Sequence, residues 1–100
     1  MRFLKSAPLT IPAGEQASSE VAVGPMIFAH SVYAPKELSG HAVVQVKVKG
    51  DEWCEVDVSA LGKADCVTVP NVAATAIRVY SDTVETEERT FTYAYVYQEN

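Results

Sequence analysis

The chain has 100 residues, of which 48% are hydrophobic and 21% charged. This length suits one hydrophobic core and excludes larger architectures, such as a Rossmann domain or a TIM barrel, that many enzymes use. The 13 acidic residues outnumber the 8 basic ones and give a formal net charge of -5. This balance argues against nucleic acid as a partner, because nucleic-acid-binding proteins present basic faces. We predict a single domain over residues 1–100, with residues 1–6 as a candidate N-terminal arm.

The sequence shows no targeting or membrane-spanning segment. Residues 1–14 lack the unbroken apolar run that a signal peptide needs, and no apolar stretch reaches the roughly 20 residues of a transmembrane helix. We therefore expect no membrane partner. The two cysteines, Cys54 and Cys66, do not have the paired spacing of a zinc site, and we expect both to be reduced.

The first half of the chain predicts three short strands and then a hairpin. The three strands are bounded by Pro or Gly residues and lie at residues 8–11, 19–23 and 26–33. Residues 42–49 alternate between apolar and polar side chains, and residues 52–58 alternate again after the turn at Gly50 and Asp51. Cys54 is in phase with Val56 and Val58, so its thiol is predicted to be buried.

The second half predicts three more strands, at residues 66–69, 75–81 and 89–98. The last two are expected to pair with each other around an acidic loop, residues 82–88. Helical periodicity is poor throughout, and turn signals recur at intervals typical of a sandwich. The predicted fold class is therefore all-β: a single antiparallel β-sandwich, jelly-roll-like or Greek-key, with about eight strands and little or no helix.

No pattern of residues predicts catalysis. The two histidines, His30 and His41, lie outside any nucleophile motif, and the acidic loop lacks the residue order of an EF-hand. We therefore predict that the chain is not an enzyme, that it binds no cofactor or metal, and that the acidic loop is a solvated tip.

Two groups of aromatic residues are candidate binding surfaces. Tyr93, Tyr95 and Tyr97 share one face of the last strand, and three large amphipathic rings are more than a small core needs, so they form a candidate subunit interface, with plain core packing as the other interpretation of the row. The alternative is a ligand face built from three residues of the hairpin, because an aromatic ring beside carboxylates is typical of a sugar-binding surface. That face comprises Trp53, Glu55 and Asp57.

Three stretches, read together, resemble the small β-sandwich virion proteins of tailed bacteriophages, of the capsid decoration, cement or head and tail fibre type. An opening strand, an Ala-Gly turn and a serine-rich link lead into a second strand at residues 9–15 and 18–24. A strand, a short Gly/Asp turn and a strand that bears an aromatic residue follow at residues 38–58. A closing strand pair is similar at residues 76–82 and 89–91.

The resemblance implies a non-enzymatic structural protein that stabilises a phage head. Its partners would be the major capsid protein and its own copies, with a homotrimer favoured, and it would be made in the host cytoplasm and located on the virion. The family has no catalytic residues, so the resemblance assigns none here. Two other functions remain open: a carbohydrate-binding module and an adhesion component of a tail or fibre.

Overall fold

The computed structural model of this chain describes residues 1–24, 27–56, 60–69 and 74–99. Within these ranges the chain forms eight β-strands in two antiparallel four-stranded sheets, with no helix. The strands are β1 (Arg2–Ile11), β2 (Val21–Ala22), β3 (Ile27–Tyr33), β4 (Ala42–Lys49), β5 (Glu52–Glu55), β6 (Cys66–Val69), β7 (Ala76–Ser81) and β8 (Arg89–Gln98). This confirms the predicted all-β sandwich. In the described part of the chain, no helix is long and apolar enough to span a membrane.

The strands pair as nested hairpins. Sheet A has the order β1-β8-β3-β6 and sheet B the order β2-β7-β4-β5. The pairs β4 with β5, β3 with β6, β2 with β7 and β1 with β8 therefore lie one inside the next, which is the winding of a jelly roll. The turn of the innermost hairpin is at Gly50, whose φ of 60° is left-handed and costs little without a side chain.

Alternating side chains of the two sheets form the core between them. On β4 the buried positions are Ala42, Val44 and Val46, which is the phase that the sequence predicts for this strand. The other buried apolar residues of the core come from both sheets and their connections: Leu9, Ile11, Val32, Leu38, Leu61, Val69, Ile77, Val79, Phe91 and Tyr93.

The expected pairing of the last two predicted strands is wrong. β7 belongs to sheet B, where Val79 is opposite Val44, whereas β8 belongs to sheet A and pairs with β1 and β3. The acidic loop therefore crosses from one sheet to the other instead of closing a hairpin. In this winding, neighbouring strands of the sequence alternate between sheets, except at the central hairpin of β4 and β5.

Two strand boundaries differ from those expected. Residues 2–6, the candidate N-terminal arm, are the first half of β1 and pair with the end of β8 from Arg2 opposite Gln98 onward. β5 ends at Glu55, and the predicted strand residues 57–58 lie outside the described residues.

The prediction that Cys54 is buried is wrong, because both cysteines are exposed. Cys54 is opposite the buried Val46, so its side chain is on the inner face of sheet B as expected. However, β5 is the edge strand of that sheet and pairs with β4 alone. An inward-facing thiol at this margin is therefore open to solvent.

Candidate functional site

The two histidines lie in different surroundings. His30 is buried, and its Nδ1 is 2.5 Å from the Tyr93 hydroxyl, whose ring stacks on the imidazole. Burial lowers the pKa of His30, and burial also raises the pKa of Tyr93, so both are held neutral. This pair is a hydrogen-bonded part of the core. His41 is exposed before β4. Within the described residues, no three His, Cys, Asp or Glu side chains come together as metal ligands.

The three candidate interface tyrosines differ in burial, because the core ends along this part of β8. Tyr93 is fully buried, so it contributes to the core and not to the surface. Tyr95 is half-buried and stacks on Tyr93 with 5.0 Å between the ring centroids. Tyr97 is also half-buried, and the Lys5 ammonium lies 5.1 Å from the centre of its ring. Of the row, Tyr95 and Tyr97 are the members that have surface to offer a partner.

The alternative ligand face is only partly as expected. The Trp53 ring has two cations over it: the Arg78 guanidinium carbon at 4.2 Å and the Lys47 ammonium at 4.9 Å from the ring centre. Such cation–π contacts occupy surface that a sugar would need for stacking. Glu55 is exposed on the same outer face, and Asp57 lies outside the described residues. Trp53 is therefore the partner of two basic side chains rather than an open platform.

A groove with a volume of about 400 Å³ lies next to this face, on the outer side of sheet B. Its floor includes Val43 and Tyr80, which are opposite each other on β4 and β7. At one side residue 17 bridges to Tyr80, and at the other residue 61 bridges to Ala42, so both walls continue the sheet. The lining residues are Gln16, His41, Val43, Glu55, Ala60, Tyr80 and Asp82.

Asp82 is held rigidly at the end of this groove. Its Oδ1 accepts hydrogen bonds from the Thr83 hydroxyl at 2.9 Å and from the His41 backbone N–H at 3.0 Å. The bond from Thr83 is the main reason that the pKa of Asp82 is below its usual value. Gly40 permits this approach, since a Cβ at that position would lie 2.3 Å from Asp82 Oδ1. The absence of a side chain at Gly40 therefore leaves room for the Asp82 carboxylate to accept these hydrogen bonds.

The prediction of a solvated acidic loop is wrong at one residue, because Glu85 is fully buried. Its carboxylate accepts hydrogen bonds from the Ser39 N–H at 3.0 Å, the Arg89 Nε–H at 3.0 Å and the Ser81 hydroxyl at 2.8 Å. Burial acts to raise the pKa of Glu85, but these donors outweigh it and hold the pKa below its usual value. The carboxylate thus fastens the loop to both sheets.

The first half of β1 is an unpaired edge. Thr10 directs its N–H and carbonyl away from β8, because both hydrogen-bond to Ser19. The β1–β8 register continues unbroken to Arg2, so the alternate residues Ser6, Leu4 and Arg2 also direct their backbone groups outward. Within the described residues, no strand pairs with this edge of β1. Pro8 has no N–H, so the continuous free segment is residues 2–6.

Comparisons with known proteins support the fold. No protein-family model matches the chain, and no curated protein matches it. A solved structure from the Bacillus endospore appendages, described as forming a novel family of disulfide-linked pili, is similar with a TM-score of 0.64. The match covers 99% of this chain and 89% of that chain at 12% sequence identity. The similarity shows a shared fold, and none of the comparisons supports the resemblance to phage virion proteins.

Proposed function

We propose that this chain is a non-enzymatic structural protein whose copies assemble into an extracellular surface appendage through the free edge of β1. The appendage protein with the same fold supports this assignment, since it forms pili. The observation that carries the proposal is the unpaired backbone of residues 2–6, because an exposed strand edge is a ready template for a strand of another chain.

The side chains beside this edge favour a partner. Leu4 is 80% exposed, although it lies within a regular strand. It is opposite Val96, which is in turn opposite Phe28, so three apolar side chains form a row across β1, β8 and β3 on the outer face of sheet A. A strand added at the edge would extend sheet A and cover Leu4, and burying such a side chain stabilises a contact by about 2 kcal/mol.

The geometry of the contact decides the form of the assembly. If β1 of one copy pairs with β1 of another, the contact is two-fold and closes as a dimer. If β1 of one copy pairs with a different edge of the next copy, such as β6, the assembly has a free β1 edge at one end and a free β6 edge at the other. Growth then continues as a filament. We propose the second arrangement, because the protein with the shared fold is a pilus protein.

The test is the Ser6→Pro variant of the full chain. Proline removes the N–H that Ser6 directs outward, while the bonds from β1 to β8 use other residues. We expect the variant to remain folded and to need an about tenfold higher concentration to assemble, since losing one good hydrogen bond costs about 1.4 kcal/mol. Sedimentation velocity over a concentration series, with negative-stain electron microscopy, measures both the extent and the form of assembly.

Val84→Ser is the control, because Val84 is 50% exposed but lies in the acidic loop, and the change leaves the net charge at -5. It should assemble like the parent. The proposal is wrong if the parent stays monomeric over the whole series. It is also wrong if Ser6→Pro assembles normally while Val84→Ser does not, because the contact would then be in the acidic loop.

Decoration of a phage head is the second candidate, and the winding of the sheets favours it, since jelly rolls also build viral capsid domains. In that case the partners would be the major capsid protein and two further copies in a trimer, and the location would be the virion. The same sedimentation experiment separates the candidates. A discrete trimer without filaments would favour decoration, and an open series of sizes would favour the appendage.

A further inference from the structure

We propose that the groove on the outer face of sheet B is a binding site for a neutral carbohydrate, one or two sugar rings in size. The groove is independent of the β1 edge, which belongs to sheet A. Its volume of about 400 Å³ lies within the range of small-molecule sites. The segment at one side bridges to Tyr80 of β7 and the segment at the other side bridges to Ala42 of β4, so both continue sheet B.

The floor of the groove offers the apolar surface on which a sugar ring could lie. Tyr80 and Val43 are adjacent across β7 and β4, and both are half-buried. The Arg78 guanidinium is 5.7 Å from the Tyr80 ring centre, whereas it lies much closer, at 4.2 Å, to Trp53. Tyr80 therefore has one more distant cation at its ring where Trp53 has two close ones, and it replaces Trp53 as the aromatic residue available for stacking.

The rim carries hydrogen-bonding groups that the protein leaves unused. Among the described residues, no hydrogen bond engages the Glu55 carboxylate, the Tyr80 hydroxyl, the His41 ring or Asp82 Oδ2. Gln16 donates from its Nε2 to the Ser81 carbonyl, so its Oε1 also remains available as an acceptor. The hydroxyl groups of a sugar both donate and accept, and this set of carboxylate, amide, phenol and imidazole groups matches them.

The charges of the lining exclude other small ligands. Among the described residues that line the groove there are two carboxylates and no Lys or Arg, so an anion such as phosphate would be repelled. An apolar ligand would leave the Glu55 carboxylate and Asp82 Oδ2 facing it without hydrogen-bond donors. A cationic side chain of another protein is the remaining competitor, because carboxylates and an aromatic ring also bind Arg.

The experiment is a titration of the monomeric chain with three neutral methyl glycosides: mannoside, galactoside and N-acetylglucosaminide. Backbone amide NMR shifts report the site, and Nα-acetyl-arginine amide is the competing cationic probe. We expect at least one glycoside to shift the amides of residues 16, 43, 80 and 82, with an affinity that does not change with salt, because the ligand is uncharged.

Variants test which groups make the contact. Tyr80→Ala should weaken glycoside binding by about tenfold or more, because it removes the ring on which the sugar stacks. Tyr33→Ala is the matched control, since Tyr33 is 46% exposed on sheet A and far from the groove, and it should leave the affinity unchanged. Glu55 is exposed, and Gln at this position keeps an acceptor oxygen, so Glu55→Gln should retain most of the glycoside binding.

Two results would overturn the proposal. The first is that none of the glycosides shifts the groove amides, whatever the chain does in assembly experiments. The second is that only the arginine amide binds, with an affinity that falls as salt rises and is lost in Glu55→Gln. That outcome would assign the groove to a basic side chain of another protein.

Discussion

Glu85 shows how far the environment of one residue can depart from its sequence context. Three other carboxylates lie within residues 82–88, and nothing in that run distinguishes Glu85 from Glu87 or Glu88. What buries it is a set of donors from other parts of the chain, above all the Ser39 N–H, which is 46 residues away in sequence. The charge pattern was therefore a poor guide to this residue, because its three donors meet only in the folded chain.

The first prediction concerns Glu85→Gln. Gln could keep its oxygen toward the Ser39 and Arg89 donors and donate its NH₂ to the Ser81 hydroxyl, but the Arg89 guanidinium would lose its buried counter-charge. We expect the free energy of unfolding to fall by about 2–4 kcal/mol in urea denaturation. Glu87→Gln is the control, since Glu87 also contacts Arg89 but is 78% exposed, and it should change stability by less than about 0.5 kcal/mol.

The pH dependence of stability tests the same assignment. The pKa of Glu85 in the folded chain is below its usual value of 4.5, so the unfolded chain takes up the proton first. Its contribution is therefore complete above about pH 4.5 and is lost as the pH falls toward the folded pKa. Glu85→Gln should have a shallower acid slope than the parent. Equal slopes, or equal losses for Glu85→Gln and Glu87→Gln, would contradict the role given to Glu85.

At the scale of the element, the strands themselves were predictable and their partners were not. Alternation of side chains located β4, β7 and β8 because each has one buried face. It could not show that β7 and β8 belong to different sheets, since alternation records which face is buried and not which strand lies beside it. The same limit explains Cys54, whose face was predicted correctly but whose position at a sheet edge was not.

For the same reason, only some of the candidate site residues could be predicted from the sequence. The tyrosine row of β8 was identified by its shared face, but the point at which the core ends between Tyr93 and Tyr97 depends on the length of the opposite sheet. The groove was missed, except for Glu55, because Gln16, His41 and the pair Tyr80 and Asp82 come from three separate segments. No spacing along the chain marks such a set.

The second prediction compares two leucines of β1. Leu9 is fully buried between the sheets, whereas Leu4, on the same strand, is 80% exposed. Leu9→Ala should lower the free energy of unfolding of the monomer by about 3 kcal/mol, because it leaves a cavity. Leu4→Ala should change it by less than about 0.5 kcal/mol but should weaken assembly. Urea denaturation at low protein concentration measures the first effect and sedimentation the second. A large loss of monomer stability in Leu4→Ala would show that this side chain serves the fold.

At the scale of the whole molecule, the formal net charge of -5 opposes any assembly of identical copies. The contact proposed at the β1 edge relies on backbone hydrogen bonds and on the apolar row that includes Leu4, and neither depends strongly on salt. The two cations near the edge are already engaged, because Arg2 lies 5.3 Å from the Phe28 ring centre and Lys5 lies 5.1 Å from that of Tyr97. General repulsion between copies should therefore dominate the response to ionic strength.

The last prediction follows from this balance. Raising NaCl from about 0.02 M to about 0.3 M shortens the distance over which exposed charges act to well under 10 Å, so it should favour assembly of the parent chain. Sedimentation at both salt concentrations measures the shift, and Ser6→Pro should remain poorly assembled at each. If assembly weakens as salt rises, attraction between opposite charges must hold the copies together. The basic side chains Arg2 and Lys5 would then have to leave their aromatic rings to meet the acidic surface of the next copy.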